Sequence, residues 1–317
     1  GEAGYTYRLL NRLHLFIHDF GSILAPMPYQ PSSLTPQPDD LHTLRYGMRG
    51  DDQSGFVFVN QYQRLARMQP VEDVEFDAGA VRFPPVTVRS GASFVFPFGL
   101  KLDDHTLKYA TAQLLCRSGS TFFFAAVDGI APEYSIDGSC YRPVSLPDIH
   151  ELGSLRLVTL PLAQAMFLRK LNGTVYLGNG CDLYLQDGVI ASIEPGSFSY
   201  SVWNETRFVP QTVQRRLRPA ALFAEPLEVL PFSPKYYTEL QLGQPRKITC
   251  QRLRVTTPDG FVEIPDPCDT AQIYADGVLI ADEYYCGKPW RVPASLLYGK
   301  ECYLFLSELK NDIYREF

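Results

Sequence analysis

Asp-Gly pairs occur five times in this chain, and they constrain its fold more than any other feature. They stand at Asp128-Gly129, Asp137-Gly138, Asp187-Gly188, Asp259-Gly260 and Asp276-Gly277. Asp-Gly readily takes the positive φ angles of tight hairpins, so each pair between apolar runs predicts a strand reversal. AQIYADGVLIAD is the clearest case: strand Ala271–Ala275 turns at Asp276-Gly277 into Val278–Asp282. LYLQDGVIASI, Leu183–Ile193, has the same form, which reads as an internal repeat or as the same hairpin chemistry used twice. Further strands are predicted at Leu44–Met48, Gly55–Asn60, Val71–Phe76, Val86–Arg89, Ser93–Leu102, Tyr109–Cys116 and Thr121–Val127. The 20 Phe and 19 Tyr against 2 Trp agree with strands, where aromatic and β-branched side chains pack well.

One strong helix opens the chain. Leu10, Leu13, Ile17, Phe20 and Leu24 recur at steps of three and four, widened by Leu9 and Phe16. The helix should end near Ala25, because Pro26 and Pro28 withdraw backbone donors. Residues Met27–Asp40 carry four prolines and two adjacent serines and read as an extended linker. Pro161–Leu171 is the second helical candidate, stopped by Asn172-Gly173. Pro219–Pro234 reads as another boundary. The predicted class is mainly β, with two or more sandwich or jelly-roll domains and one N-terminal amphipathic helix. The predicted division is a helix and linker at 1–38, a first sandwich at 39–150, a small mixed segment at 151–218 and a jelly roll at 219–317.

Charge and composition narrow the function. Net charge is −6 and Arg215-Arg216 with Arg218 is the densest basic stretch, which argues against nucleic acid as a partner. No apolar run reaches the ~18 residues of a membrane span, and the first residues do not read as a signal peptide. Gly1 reads as a tag remnant, with the parent's start upstream. The seven cysteines are dispersed, odd in number and lack any CxxC, so reduced thiols and a cytoplasmic setting are expected, with no metal and no cofactor.

Few residues suggest chemistry. His14 and His18 are four apart on the helix but lack the glutamate of HExxH, so packing or solvent exposure is expected. The adjacent acids Asp39-Asp40, Asp51-Asp52 and Asp103-Asp104 read as solvated turns. Glu133, between Pro132 and Tyr134, reads as a buried, hydrogen-bonded structural carboxylate. GFVFVNQYQRL, Gly55–Leu65, is an apolar strand followed by the polar Asn60, Gln63 and Arg64, with Tyr62 among them. It is either a tightly bonded corner or a site for an uncharged polar ligand. Trp203 and the cluster Tyr284, Tyr285 and Trp290 are candidates for stacking on a sugar ring, against core packing as the alternative.

Several segments together resemble the post-barrel half of the family 35 glycoside hydrolases, the β-galactosidases. They are LHLFIHDFGSILAPM, LRYGMRG, GFVFVNQYQRL, FVFPFGLKL followed by LKYATAQLL, FFFAAVDGIAPEY, and AQIYADGVLIADEYYCGKPWRVPASLL. GFVFVNQYQRL and LKYATAQLL are the most specific. The resemblance implies a parent enzyme that cleaves terminal β-galactosides with retention of configuration. Its two catalytic glutamates lie on barrel strands upstream of this chain's first helix, so neither maps onto a residue here. The implied role is structural support of that barrel, without catalysis by this chain. A stand-alone carbohydrate-binding module using Trp290, Tyr285 and Tyr284 is the alternative. Carbohydrate and the barrel are the expected partners, with a homo-oligomer as a further one. The helix, deprived of a barrel, is expected to dock on a β-domain or on a second copy of the chain.

Overall fold

A computed structural model describes residues 4–32, 34, 36, 37, 39–63, 66–192, 196–214, 219–234, 247–264, 268–284 and 289–308. The chain forms two compact units, Ala3–Gln214 and Arg215–Phe317. Both are mainly β, as the turn-punctuated sequence predicts.

The first unit is built around helix Tyr5–Leu24. A seven-stranded antiparallel sheet runs in the order Tyr29–Pro31, Tyr46–Gly50, Gly55–Asn60, Ser93–Leu102, His105–Ala110, Tyr134–Ile136, Ser139–Tyr141. A second sheet orders Gln113–Ser118, Thr121–Ala125, Leu155–Leu160 and Asp148–Leu152, with its two central strands parallel. A third orders Leu168–Leu171, Thr174–Gly178, Phe198–Trp203 and Phe208–Val213.

These sheets have long apolar runs because both of their faces are covered. In Gly55–Asn60, Phe56 and Phe58 join the core shared with the helix and the second sheet. Val57 and Val59 join a separate core closed by Phe76, Phe83 and Val88 from the excursion between Asn60 and Ser93. Thr121–Ala125 divides in the same way. Phe122 and Phe124 face the helix side, and Phe123 and Ala125 pack with Leu168, Val175 and Trp203 of the third sheet.

The helix is turned from its predicted orientation. Its buried residues are Arg12, Leu15, Phe16 and Phe20, while Leu10 and Ile17 are 49% and 46% exposed. At ~100° per residue this moves the buried arc by about a quarter-turn from the Leu10–Leu24 stripe. Aromatic packing accounts for the difference. Phe16 meets Phe56 edge-on at 5.0 Å, and Phe20 stacks with Phe122 at 6.3 Å, so the two rings engage both sheets.

Two other expectations are corrected. Tyr109–Cys116 is two strands, because the chain crosses from the first sheet to the second at Thr111–Ala112. Such a corner keeps an apolar run unbroken, so no turn residue announces it. Pro161–Leu171 has one helical turn, Leu162–Ala165, and then strand Leu168–Leu171. Asn172-Gly173 is a hairpin turn, with φ of 47° and 81°, and not a helix stop. The Asp-Gly pairs at 137, 187 and 276 adopt the expected paired positive φ between antiparallel strands.

The second unit is a five-stranded antiparallel sheet in the order Leu222–Leu227, Ile248–Val255, Cys302–Ser307, Thr270–Ala275, Val278–Tyr284. A two-stranded sheet, Phe261–Ile264 with Trp290–Pro293, encloses one core through Val262, Ile264 and Val292 against Leu253, Ile273 and Leu304. On the opposite face Phe232 covers Tyr274, Tyr303 and Phe305.

Gly99, at φ +62°, sits where strand Ser93–Leu102 changes which core it feeds, from Phe94, Phe96 and Phe98 to Leu100 and Leu102. A Cβ there would overlap the Gln53 carbonyl oxygen. Gly99→Ala should therefore lose about 2 kcal/mol or more of stability by urea unfolding. An unchanged midpoint would refute the close approach.

Candidate functional site

The polar end of GFVFVNQYQRL is a bonded corner, and its centre is Gln61. Asn60 is exposed, whereas Gln61 is fully buried. Gln61 Oε1 accepts from the Arg45 N–H at 3.3 Å and Nε2 donates to Gln69 O at 3.0 Å. Its backbone bonds to Ala92 and Gly91 at 2.8 Å each. Arg45 Nη1 donates to Gln63 Oε1 and Nη2 to Asp40 O at 3.1 Å. Both ends of the Gln61 amide are thus consumed within the protein. Arg64 and Leu65 lie outside the described residues.

Glu133 is a structural carboxylate. It is 6% exposed and accepts from Tyr109 Oη at 2.5 Å and from Arg142 Nε at 2.5 Å. Its backbone staples the sheet-to-sheet corner: the Thr111 N–H donates to Glu133 O at 2.9 Å, and the Glu133 N–H to Thr111 Oγ1 at 2.8 Å. Burial, reinforced by the Glu133 carboxylate, pushes the Tyr109 hydroxyl's pKa up. Tyr109 therefore stays a proton donor to that carboxylate rather than an acid–base partner.

The adjacent acids do turn work. Asp40 accepts from the Thr43 and His42 N–H groups, and bonds from Thr43 first and then His42 hold its pKa down at about 2. Asp51 accepts from the Gln53 and Ser54 N–H groups, and Asp103 takes a turn φ of 53°. His14 and His18 are both exposed, and no group of metal-ligating side chains forms among the described residues. Cys116, Cys140, Cys250 and Cys302 are free thiols. Burial raises the pKa of Cys116, and that of Cys250 to about 11, which leaves both unreactive.

The proposed sugar-stacking aromatics are dispersed in role. Trp203 is 5% exposed and lies edge-on to Phe123 at 5.2 Å, so it belongs to the core. Trp290 is half-buried in strand Trp290–Pro293 and packs against the core of the second unit. Tyr284 ends strand Val278–Tyr284. Tyr285 lies outside the described residues.

Sequence reasoning missed the charges that seat the helix. Asp182, 2% exposed, accepts from Arg8 Nε and Nη2 at 3.0 and 2.8 Å and from Arg169 Nη2. Asp19 accepts from Lys170 Nζ at 2.7 Å and from the Arg117 N–H at 2.8 Å. These are isolated charges far apart in sequence, and no local motif marks them.

It also missed a cleft of about 200 Å³ lined by Arg12, Gln113, Leu9, the loop Arg89–Ser93, Ala126–Asp128 and Leu162. Arg12 is 5% exposed, and its one hydrogen bond among the described residues runs from Nη2 to Ser93 O at 3.3 Å. Its Nε is buried without a partner, and so is Gln113 Oε1. Burial lowers the Arg12 pKa, partly opposed by Tyr5. Arg89 and Asp128, both largely exposed, pair at 3.1 Å beside the cleft. The arrangement is a polar recess with one desolvated cation and one unsatisfied acceptor.

No protein-family model matches this sequence, and no curated protein matches it either. No helix among the described residues is long and apolar enough to cross a membrane.

The seating of the helix carries a pH signature. Burial opposes ionisation of Asp19, but bonds from Lys170 and the Arg117 N–H outweigh it and hold its pKa below the usual carboxylate value. The stabilisation is therefore complete above the unfolded value of about 3.9 and is lost as pH falls through the lower folded value. Asp19→Asn should cost about 1–3 kcal/mol near neutral pH, with the gap to the parent closing as the pH falls below the unfolded carboxylate value of about 3.9. A gap that stays constant with pH would rule out this role for Asp19.

Proposed function

We propose that this chain is the non-catalytic β-domain region of a β-galactosidase-like glycoside hydrolase and that it braces the enzyme's catalytic barrel. One observation carries the reading. Five of the segments that resemble that family contribute to one core in the first unit: Phe16 of the helix meets Phe56, and Leu100, Leu107, Leu114 and Phe122 from three others complete it. A brace has to be rigid, and a shared aromatic core between helix and sheets supplies that.

Two further features support it. The helix keeps an outward apolar strip, in which Leu10 and Ile17 are nearly half exposed and Leu13 half-buried, as a surface joining another domain would. Retaining glycosidases need two carboxyl groups about 5–5.5 Å apart, one of them protonated. Three buried carboxyl groups, Asp19, Glu133 and Asp182, are instead engaged by Lys170, by Arg142, and by Arg8 and Arg169 respectively. Carboxyl groups bonded in this way serve as fixed structural anchors.

Incubation of the purified chain with a chromogenic β-galactoside should release no dye above the buffer rate, and sustained turnover would contradict the assignment. Titration with galactose should leave tryptophan fluorescence unchanged. Saturable quenching that disappears in Trp290→Ala would replace the brace with a carbohydrate-binding module.

A further inference from the structure

Arg12 is the least expected residue in the first unit. It lies on the buried arc of the helix, yet among the described residues it neutralises no carboxylate and makes one long hydrogen bond. A desolvated guanidinium with unused donors is costly unless an acceptor answers it. Arg169, the other buried arginine among the described residues, pairs with Asp182, which the half-buried Arg8 also engages, whereas Arg12 has no carboxylate partner among them. Gln113 makes the complementary demand. The residue is 4% exposed, and its buried Oε1 has no donor among the described residues. Both residues line the same recess, with Ser90 and Ser93 beside them and Leu9 and Leu162 supplying apolar wall.

We propose that this cleft binds a small hydroxycarboxylate of monosaccharide size, with the carboxylate on Arg12 and a hydroxyl donating to Gln113. A carboxylate is the planar acceptor that a guanidinium matches best. The hydroxyl answers the one group that a bare carboxylate cannot. An aspartate or glutamate side chain from another protein would satisfy Arg12 but brings no donor for Gln113 Oε1. The volume of about 200 Å³ exceeds the ~150 Å³ of an engineered cavity that holds benzene, so a ligand the size of a single sugar acid fits the scale of the cleft. The site stands on different residues from the proposed brace and does not depend on it.

The test is calorimetric titration of the full chain with D-glucuronate, D-galacturonate, D-gluconate and L-lactate, with D-glucose and inorganic phosphate as controls. At least one acid should bind saturably at one per chain, while glucose and phosphate do not compete. Arg12→Met should weaken that binding by about tenfold or more and raise the melting temperature of the ligand-free protein, because a buried unpaired charge has been removed. A purely structural arginine would give the opposite shift. Gln113→Leu serves as the second variant and should weaken the hydroxylated acids while leaving the melting curve cooperative. Absence of saturable binding across the panel would overturn the proposal. So would phosphate or glucose binding as well as the acids, or Arg12→Met lowering the melting temperature with binding unchanged.

Discussion

The first unit depends on two phenylalanines of one helix that reach two different sheets. Phe16 meets Phe56 in the seven-stranded sheet, and Phe20 meets Phe122 in the second sheet. Full burial of each ring is worth about 1.5–3 kcal/mol, with a further ~0.5–1.5 for each aromatic pair. A helix that fills the space between two sheets in this way belongs to their core. Without it, the inner faces of Gly55–Asn60 and Thr121–Ala125 would lose a layer, and the sheets would have no common filling.

Polar contacts then fix where that helix sits. Apolar burial is non-directional and would tolerate sliding or rotation. Asp19 near one end and Arg8 near the other each engage the third-sheet region, through Lys170 and Asp182. Asn11 Nδ2 adds a bond to Leu168 O at 2.9 Å. These contacts hold the rotation that buries Phe16 and Phe20, turns Leu10 and Ile17 outward and carries Arg12 into the cleft. The outward strip and the recess thus share one cause.

Local chemistry made much of the fold legible. Asp-Gly pairs marked three hairpins, and the end of the helix followed from Pro26. Gly55–Asn60 and Ser93–Leu102 were readable to the residue because aromatic runs bounded by polar residues have few alternatives. The failures share a reason too. The rotation of the helix, the corner at Thr111–Ala112 and the strand at Leu168–Leu171 are set by what the residues meet in space. Periodicity counts Leu10 and Ile17 as equal to Phe16, and only the facing aromatics break the tie. The functional groups were hardest to read. Gln61 hid behind the more conspicuous Asn60, and Arg12 looks like any solvated charge until the fold buries it beside Gln113.

The central claim is that the helix and the sheets are one cooperative body, and native-state hydrogen exchange tests it most directly. The amides of the helix interior, around Leu15–Phe20, should exchange with the same opening free energy and denaturant dependence as those of Gly55–Asn60 and Thr121–Ala125. Exchange of the helix through a separate, lower-energy opening while the strands stay protected would contradict the account.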